Sequence, residues 1–422
     1  MIKDEEKYFD LSGDQPLPSG PSTWHITDWD QRRVISVTMD GLQDDANMAI
    51  KYLRRHSSQL PPSIYRIYVS QTGEIISTHT DPKDDRTHCV HYPPLQEALL
   101  PEGTQTIQRD ALEELDRLGP DVDLVAYPPC SGENGKKEQL KLGSEQVVFK
   151  YYFQWQFAEK SWSEMNLWMR LPRHANIVSF DRVVIDELEG RVIGFTNDYV
   201  PGGTLEENGS RVFQLEWLRQ LIRVVDDLNL EYGIAHQDMA PRNLLVDEQT
   251  NSIVLFDFNF AARINHPPSE GNRYQEERND VKGLIFTVYE IITRDDSLRS
   301  VPHEEQDSNN LLTLEWVQHP EVKLDHPITK YKTMLHEWKE QRATTDLGRV
   351  NSGKAPKAID WPSRPRPPRK TINSFTDEEW FTRRHVVRER GGQVLDWERP
   401  PQERLDGKTR MLSTGKPVTC HT

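Results

Sequence analysis

The chain has 422 residues, 35% hydrophobic and 28% charged, with a net charge of −15, a length that accommodates one large domain with appendages. No run of 18 apolar residues occurs and no apolar stretch follows the first basic residues, so neither a membrane helix nor a secretory leader is expected. Three widely separated cysteines, Cys89, Cys130 and Cys420, fit free thiols rather than a disulfide framework, and the expected setting is intracellular, cytoplasmic or nuclear.

Residues 1–30 carry Pro16, Pro18 and Pro21 among polar residues with no apolar period and read as an irregular leader. Over 31–105 the pattern predicts a small β-α-β-β unit: an alternating run from Val34 to Met39, a helix from Asp44 to His56, and strands from Ile64 to Val69 and Glu74 to Thr78 around Gln71-Thr72-Gly73. Within it, strand alternation sets Cys89 and His91 on one face and His88 on the other, without an evident fourth ligand for zinc. Proline and polar residues then increase over 79–110, as in a connection.

From Asp110 the spacing predicts an α+β domain over 110–342. Short strands fall at Asp123 to Tyr127, Gln146 to Tyr152, Ile177 to Ile185 and Val192 to Tyr199, with a helix around Ser161 to Leu171, enough for a small antiparallel-sheet lobe with one helix over 110–199. A mainly helical lobe follows over 205–342. Its helix from Gln214 to Tyr232 sets Leu218, Leu221, Ile222, Val225 and Leu228 on one face, strands run from Leu244 to Val246 and Ser252 to Phe256, and a further apolar helix spans Val281 to Thr293.

Residues 343–422 form a Pro- and Arg-rich tail, with Trp361 to Lys370 favouring extended geometry. Residues 342–422 hold 17 lysines and arginines against 10 acids, while the preceding residues carry −22. A basic tail folding back on an acidic body is the simplest reading. The tail also offers a docking segment to an acidic or proline-recognising partner, while the salt-bridged look of Arg383 to Arg390 points away from nucleic acid.

The densest chemistry lies in His236-Gln-Asp-Met-Ala-Pro-Arg-Asn243 and Phe256-Asp-Phe-Asn259. Asp238 precedes Asn243 by five positions and Asp257 by nineteen, and this order resembles the catalytic loop and D-F-G segment of the eukaryotic protein kinase superfamily. Upstream, Val147-Val-Phe-Lys150 is similar to the strand that carries the kinase lysine. Glu164 stands where its glutamate partner falls, with Glu159 as a competitor, and Asn197-Asp-Tyr-Val-Pro-Gly-Gly resembles the hinge.

The resemblance implies a two-lobed fold, ATP and Mg²⁺. Phosphoryl transfer needs a polyanionic nucleotide neutralised and aligned, so oxygen ligands hold magnesium while a carboxylate orients the attacking hydroxyl. On that pattern Asn243 and Asp257 bind the metal and Asp238, helped by Arg242, serves as base. Lys150 pairs with Glu164 and the phosphates. Val148, Leu245 and the backbone of Asp198, Tyr199 and Val200 enclose the adenine, and Gly119 stands in the place of the glycine-rich loop over the phosphates. Asp280 resembles the aspartate that braces the catalytic loop from below.

Three departures stand out. The glycine-rich loop is reduced to Leu118-Gly119-Pro120-Asp121, where Pro120 removes a donor and Asp121 and Asp123 are expected to repel phosphate. Gln237 replaces the catalytic-loop arginine, so switching by loop phosphorylation is not expected. Asn259 replaces the D-F-G glycine, where its tolerance of left-handed angles should preserve the turn. The leading expectation is transfer of the γ-phosphate to a protein hydroxyl; a pseudokinase scaffold and a small-molecule kinase are the alternatives.

Overall fold

The computed structural model describes residues 2–14, 20–41, 44–127, 146–266, 273–345, 352–367, 369–372, 375–405 and 409–418; Pro16, Pro18, Cys130 and Cys420 lie outside them. The architecture is α+β. A first sheet has five strands in sequential order, β1 (Tyr8–Asp14), β2 (Ser22–Asp28), β3 (Arg33–Met39), β4 (Arg66–Val69) and β5 (Ile75–His79). The parallel step from β3 to β4 is bridged by α1 (Asn47–His56), whose Ala49, Tyr52 and Leu53 close a core with Ile35, Val37 and Ile67.

The irregular leader expected over residues 1–30 is therefore corrected: it supplies β1 and β2. Its alternation escapes a sequence reading because β2 is inaccessible on both faces at Ile26, Thr27 and Asp28, which erases the polar and apolar period. Between sheets, β6 (His88–Val90) pairs with Phe381–Arg383 from the tail. Cys89 is a half-buried free thiol that burial pushes up to about 11.

A second sheet has seven strands. Its central members are β8 (Glu113–Gly119), β9 (Val122–Ala126), β10 (Gln146–Tyr151), β12 (Val192–Asp198) and β11 (Phe180–Ile185), in that spatial order, with β7 (Thr106–Gln108) and tail residues Met411–Leu412 closing the two edges. Helix α2 (Ala158–Trp168) packs on this sheet. Ile177, expected to begin a strand, instead makes a single bridge to Leu255, and β11 starts at Phe180.

Below it, α3 (Leu215–Asp226) and α4 (Asp280–Thr293) face each other through Leu218, Leu221, Val225 and Ile285, all inaccessible to solvent, and Ile222 is only half-buried at the margin of the stripe. The helix expected to continue to Tyr232 widens into a π-turn over Asp227–Glu231. Helix α5 (Ser308–Thr313) lies against α4, and α6 (Ile328–Thr345) is tied to α3 by Trp338 Nε1 and Arg342 Nη1, which donate to Asp226 Oδ1 at 3.0 and 2.8 Å.

The tail wraps the body. Trp361 Nε1 donates to Ser163 Oγ (3.1 Å), Trp162 Nε1 donates to Pro362 O (3.2 Å), and Arg364 donates to His91 O (2.6 Å), so the segment offered to a partner is engaged along α2 within the chain. Trp397 stacks on Tyr151 at 4.9 Å. Beneath it, Arg32 pairs with Asp123 (2.6 Å) and Glu114 (3.2 Å), Arg117 pairs with Asp123 (2.7 Å), and Arg399 pairs with Asp30 (3.1 Å) and Glu114 (2.8 Å).

This buried network joins the first sheet, the second sheet and the tail. Arg32 adopts a left-handed backbone, φ 55°, in a turn where glycine or asparagine would be easier; the side chain, fully inaccessible, is what the position requires. Removing one member of a buried ion cluster strands its partners in low dielectric. Arg32→Met should therefore lower stability by about 3–5 kcal/mol, read as a shift in the denaturant midpoint of the full chain.

Candidate active site

A cleft of about 520 Å³ opens between the second sheet and the helical part. Strand β10 aims Lys150 into it because strand alternation buries Val147, Phe149 and Tyr151 on the other face. Lys150 Nζ donates to Glu164 Oε1 at 2.7 Å and to Asp257 Oδ1 at 2.5 Å. Of the two competing glutamates, Glu164 is the one that meets Lys150.

The electrostatics follow from burial and proximity. Burial opposes the charge on Lys150, yet Asp257, Glu164 and Asp121 hold its pKa above the ordinary lysine value. Burial pushes Glu164 up to about 7 despite the pull of Lys150, with the Asp257 charge adding to the rise. For Asp257 burial is overcome by Lys150, and its pKa is lowered. Of the two carboxylates on Lys150, Asp257 is the one whose charged form the pairing favours over burial.

The residues that the resemblance assigns to the nucleotide, Gly119, Val148, Asp198, Tyr199, Val200 and Leu245, line the same cleft. Asp198 N–H donates to Ser179 O at 3.0 Å, which fixes the strand where it leaves the sheet. Gly119 does not require its lack of a side chain; an added Cβ would meet nothing nearer than Val122 at 3.8 Å.

Asp280 organises the loop from His236 to Asn243. Its Oδ2 accepts from Asn229 Nδ2 and His236 N–H, and its Oδ1 from Gln237 N–H, each at 2.8 Å. His236 Nε2–H donates to Phe256 O (3.0 Å) and Asp238 N–H to His236 Nδ1 (3.3 Å), a tautomer set by its partners. The loop thus presents Asp238, whose Oδ1 accepts from Arg242 (2.6 Å) and more distantly Arg278 (3.4 Å), and whose Oδ2 accepts from Asn243 Nδ2 (2.8 Å). Beside it lies a second cavity of about 290 Å³, lined in part by Arg242, Phe260, Arg278, Lys282 and Phe286.

Three expectations change. Asp123 does not face the cleft: it is inaccessible and bound by Arg32 and Arg117, so of the two acids only Asp121 remains there. The left-handed residue of the D-F-N segment is Asp257, φ 66°, rather than Asn259, whose Nδ2 instead donates to Asp257 Oδ2 at 2.9 Å. Gln237 replaces an arginine with a neutral clasp, donating to Phe260 O (2.8 Å) and Arg273 O (3.2 Å) and accepting from Gln275 N–H (2.6 Å).

Two residues in the cleft region escaped the sequence reading. Arg278 reaches Asp238 from a turn two residues before Asp280, and Lys160 lines the cleft from α2. For Lys160 a signal was available, since it precedes Glu164 by four positions and so shares its helix face; for Arg278 the tertiary approach alone decides.

No family model matches the chain. Parts of it are similar to plant protein kinases: 37% identical over 99 residues to CBL-interacting protein kinase 5 of Oryza sativa subsp. japonica, and 30% over 136 residues to CBL-interacting protein kinase 14 of the same organism. It is also 35% identical over 99 residues to CBL-interacting serine/threonine-protein kinase 15 of Arabidopsis thaliana. These matches cover 22–31% of this chain and 20–29% of the relatives' own lengths. They support a protein kinase-like relationship at the level of a shared segment.

Because Asp280 satisfies two buried backbone amides, Asp280→Ala should cost roughly 1–3 kcal/mol for each donor left unpaired. The loss is expected as a lower denaturation midpoint and as faster hydrogen exchange at the His236 and Gln237 amides.

Proposed function

We propose that the chain is an ATP-dependent phosphotransferase of the protein kinase type, with a two-lobed domain over 110–342 that transfers the γ-phosphate to a protein hydroxyl. The observation that carries this reading is the convergence of Lys150, Glu164 and Asp257 at one end of a cleft whose other end is the Asp198 to Val200 strand exit. Turn chemistry would place aspartates and asparagines in loops, but it would not bring a strand lysine onto two carboxylates from separate elements.

The donor set suits Mg²⁺. Asn243 uses its Nδ2 on Asp238, so its carbonyl oxygen is the atom it offers a cation, and Asp257 offers a carboxylate; a hard ion that completes its shell with phosphate oxygens and water needs little more from the protein. When bound, Mg²⁺ supplies neutralisation of the phosphate charge. Lys150 is placed to hold the nucleotide's phosphates, and Glu164 fixes its ammonium. Asp238 would take the proton of the acceptor hydroxyl, with Arg242 and Arg278 fixing the orientation of its Oδ1.

A pseudokinase is the second reading, favoured by Pro120 and Asp121 where phosphate-binding amides are expected. Calorimetry with MgATP separates the possibilities at the first step: the proposal expects binding that needs Mg²⁺ and is lost in Asp257→Asn. Asp238→Asn should keep that binding while phosphate transfer falls by about 10²–10⁴-fold. Transfer undiminished in Asp238→Asn would sink the mechanism, and Mg²⁺-dependent binding with no transfer to any acceptor would leave the pseudokinase.

A further inference from the structure

The cleft contains a second lysine with no part in the scheme above. Lys160 lies one helical turn before Glu164 on α2, so both side chains leave the same helix face, and it lines the cleft together with Asp121 and Asp257. Its Nζ stands 3.9 Å from the centroid of the Phe260 ring. Among the described residues no carboxylate makes a salt bridge with it, whereas Lys150 is held between two. Burial lowers the Lys160 pKa while the Asp257 charge pulls it upward, which fits an ammonium standing at the phosphate end of the cleft.

Across the cleft, the β8–β9 turn is poorly built for an anion. Pro120 has no N–H to give, and its carbonyl accepts from Arg117 Nη2 at 3.3 Å. The Asp121 carbonyl accepts from Tyr151 N–H at 3.0 Å, and its carboxyl enters the cleft, where burial raises its pKa. A polyphosphate arriving here with Mg²⁺ would find three acids, Asp121, Glu164 and Asp257, and Lys150 as its one side-chain cation unless a second lysine took part.

We propose that Lys160 contacts the phosphates of the bound nucleotide from the α2 side, taking the part that main-chain amides of a glycine-rich loop would otherwise take. The inference rests on the nucleotide-binding reading given above. The contact with Phe260 holds the ammonium near the phosphates without engaging it in a salt bridge, and the four-carbon stem lets it move onto a phosphate oxygen while Lys150 keeps its carboxylates.

The test is calorimetry of the full chain, wild type, Lys160→Met and Lys160→Arg, titrated with MgATP and separately with adenosine. Lys160→Met is expected to weaken MgATP binding by about tenfold or more, the scale of one charge-assisted contact, with adenosine affinity unchanged. Lys160→Arg should restore most of the loss, which a merely structural role for the side chain would not require. Equal weakening of MgATP and adenosine, or no change in either while wild-type binding still depends on Asp257, would overturn the role of Lys160 and leave the nucleotide site standing. Absence of MgATP binding by the wild type would overturn both.

Discussion

Burying arginine only where carboxylates and carbonyls are ready to receive it is the constraint from which this structure is built. An unpaired buried guanidinium is far more costly than a paired one, so Arg32, Arg117 and Arg399 can be inaccessible only if Asp30, Glu114 and Asp123 come from other elements to meet them. Those carboxylates lie in the turn between β2 and β3 and in β8 and β9, while the tail contributes Arg399. Their mutual dependence joins parts of the chain separated by hundreds of residues. It also reaches the cleft, because Arg117 donates to Pro120 O in the β8–β9 turn that lines it.

The tail has a mechanical consequence for the same region. Trp361 and Pro362 engage Ser163 and Trp162, the residues next to Glu164 on α2. A helix pinned on its outer face holds its inward glutamate against Lys150, so the Lys150–Glu164 pair is supported by material outside the 110–342 segment. The positive tail thereby answers part of the negative body's charge, with Arg399 on Glu114 and Arg384 on Asp85 at 2.6 Å.

Around Asp238, the ion pairs with Arg242 and Arg278 are supplemented by hydrogen bonds in which no cation takes part. Gln237 gathers Phe260, Arg273 and Gln275 with one carboxamide, and Asp280 fixes the loop beneath it. Positive φ angles at Gln237 (63°) and Asp257 (66°) mark two places at the candidate site where the backbone is bent against its preference. Both are held by a surrounding network rather than by glycine, as expected where geometry at a site outweighs local comfort.

Local pattern made much of the 110–342 segment legible: the resemblance of Val147 to Lys150 to the kinase lysine strand singled out Lys150 and, with it, Glu164, helical spacing located the buried stripe of α3, and the offsets among Asp238, Asn243 and Asp257 marked the candidate site. Such features survive in one dimension because they repeat over a few residues. The β1 and β2 strands, the seven-strand width of the second sheet and the fate of Asp123 did not, since each depends on a partner distant in sequence. An acid beside a degraded glycine loop reads as a phosphate repellent until Arg32, ninety-one residues earlier, turns it inward. The sequence by itself determined the set Lys150, Glu164, Asp238, Asn243 and Asp257 and the elements that carry it; the tertiary structure decided the partners of Asp123, Lys160 and Arg278, because pairing energy depends on distance and burial, and neither is written in local spacing.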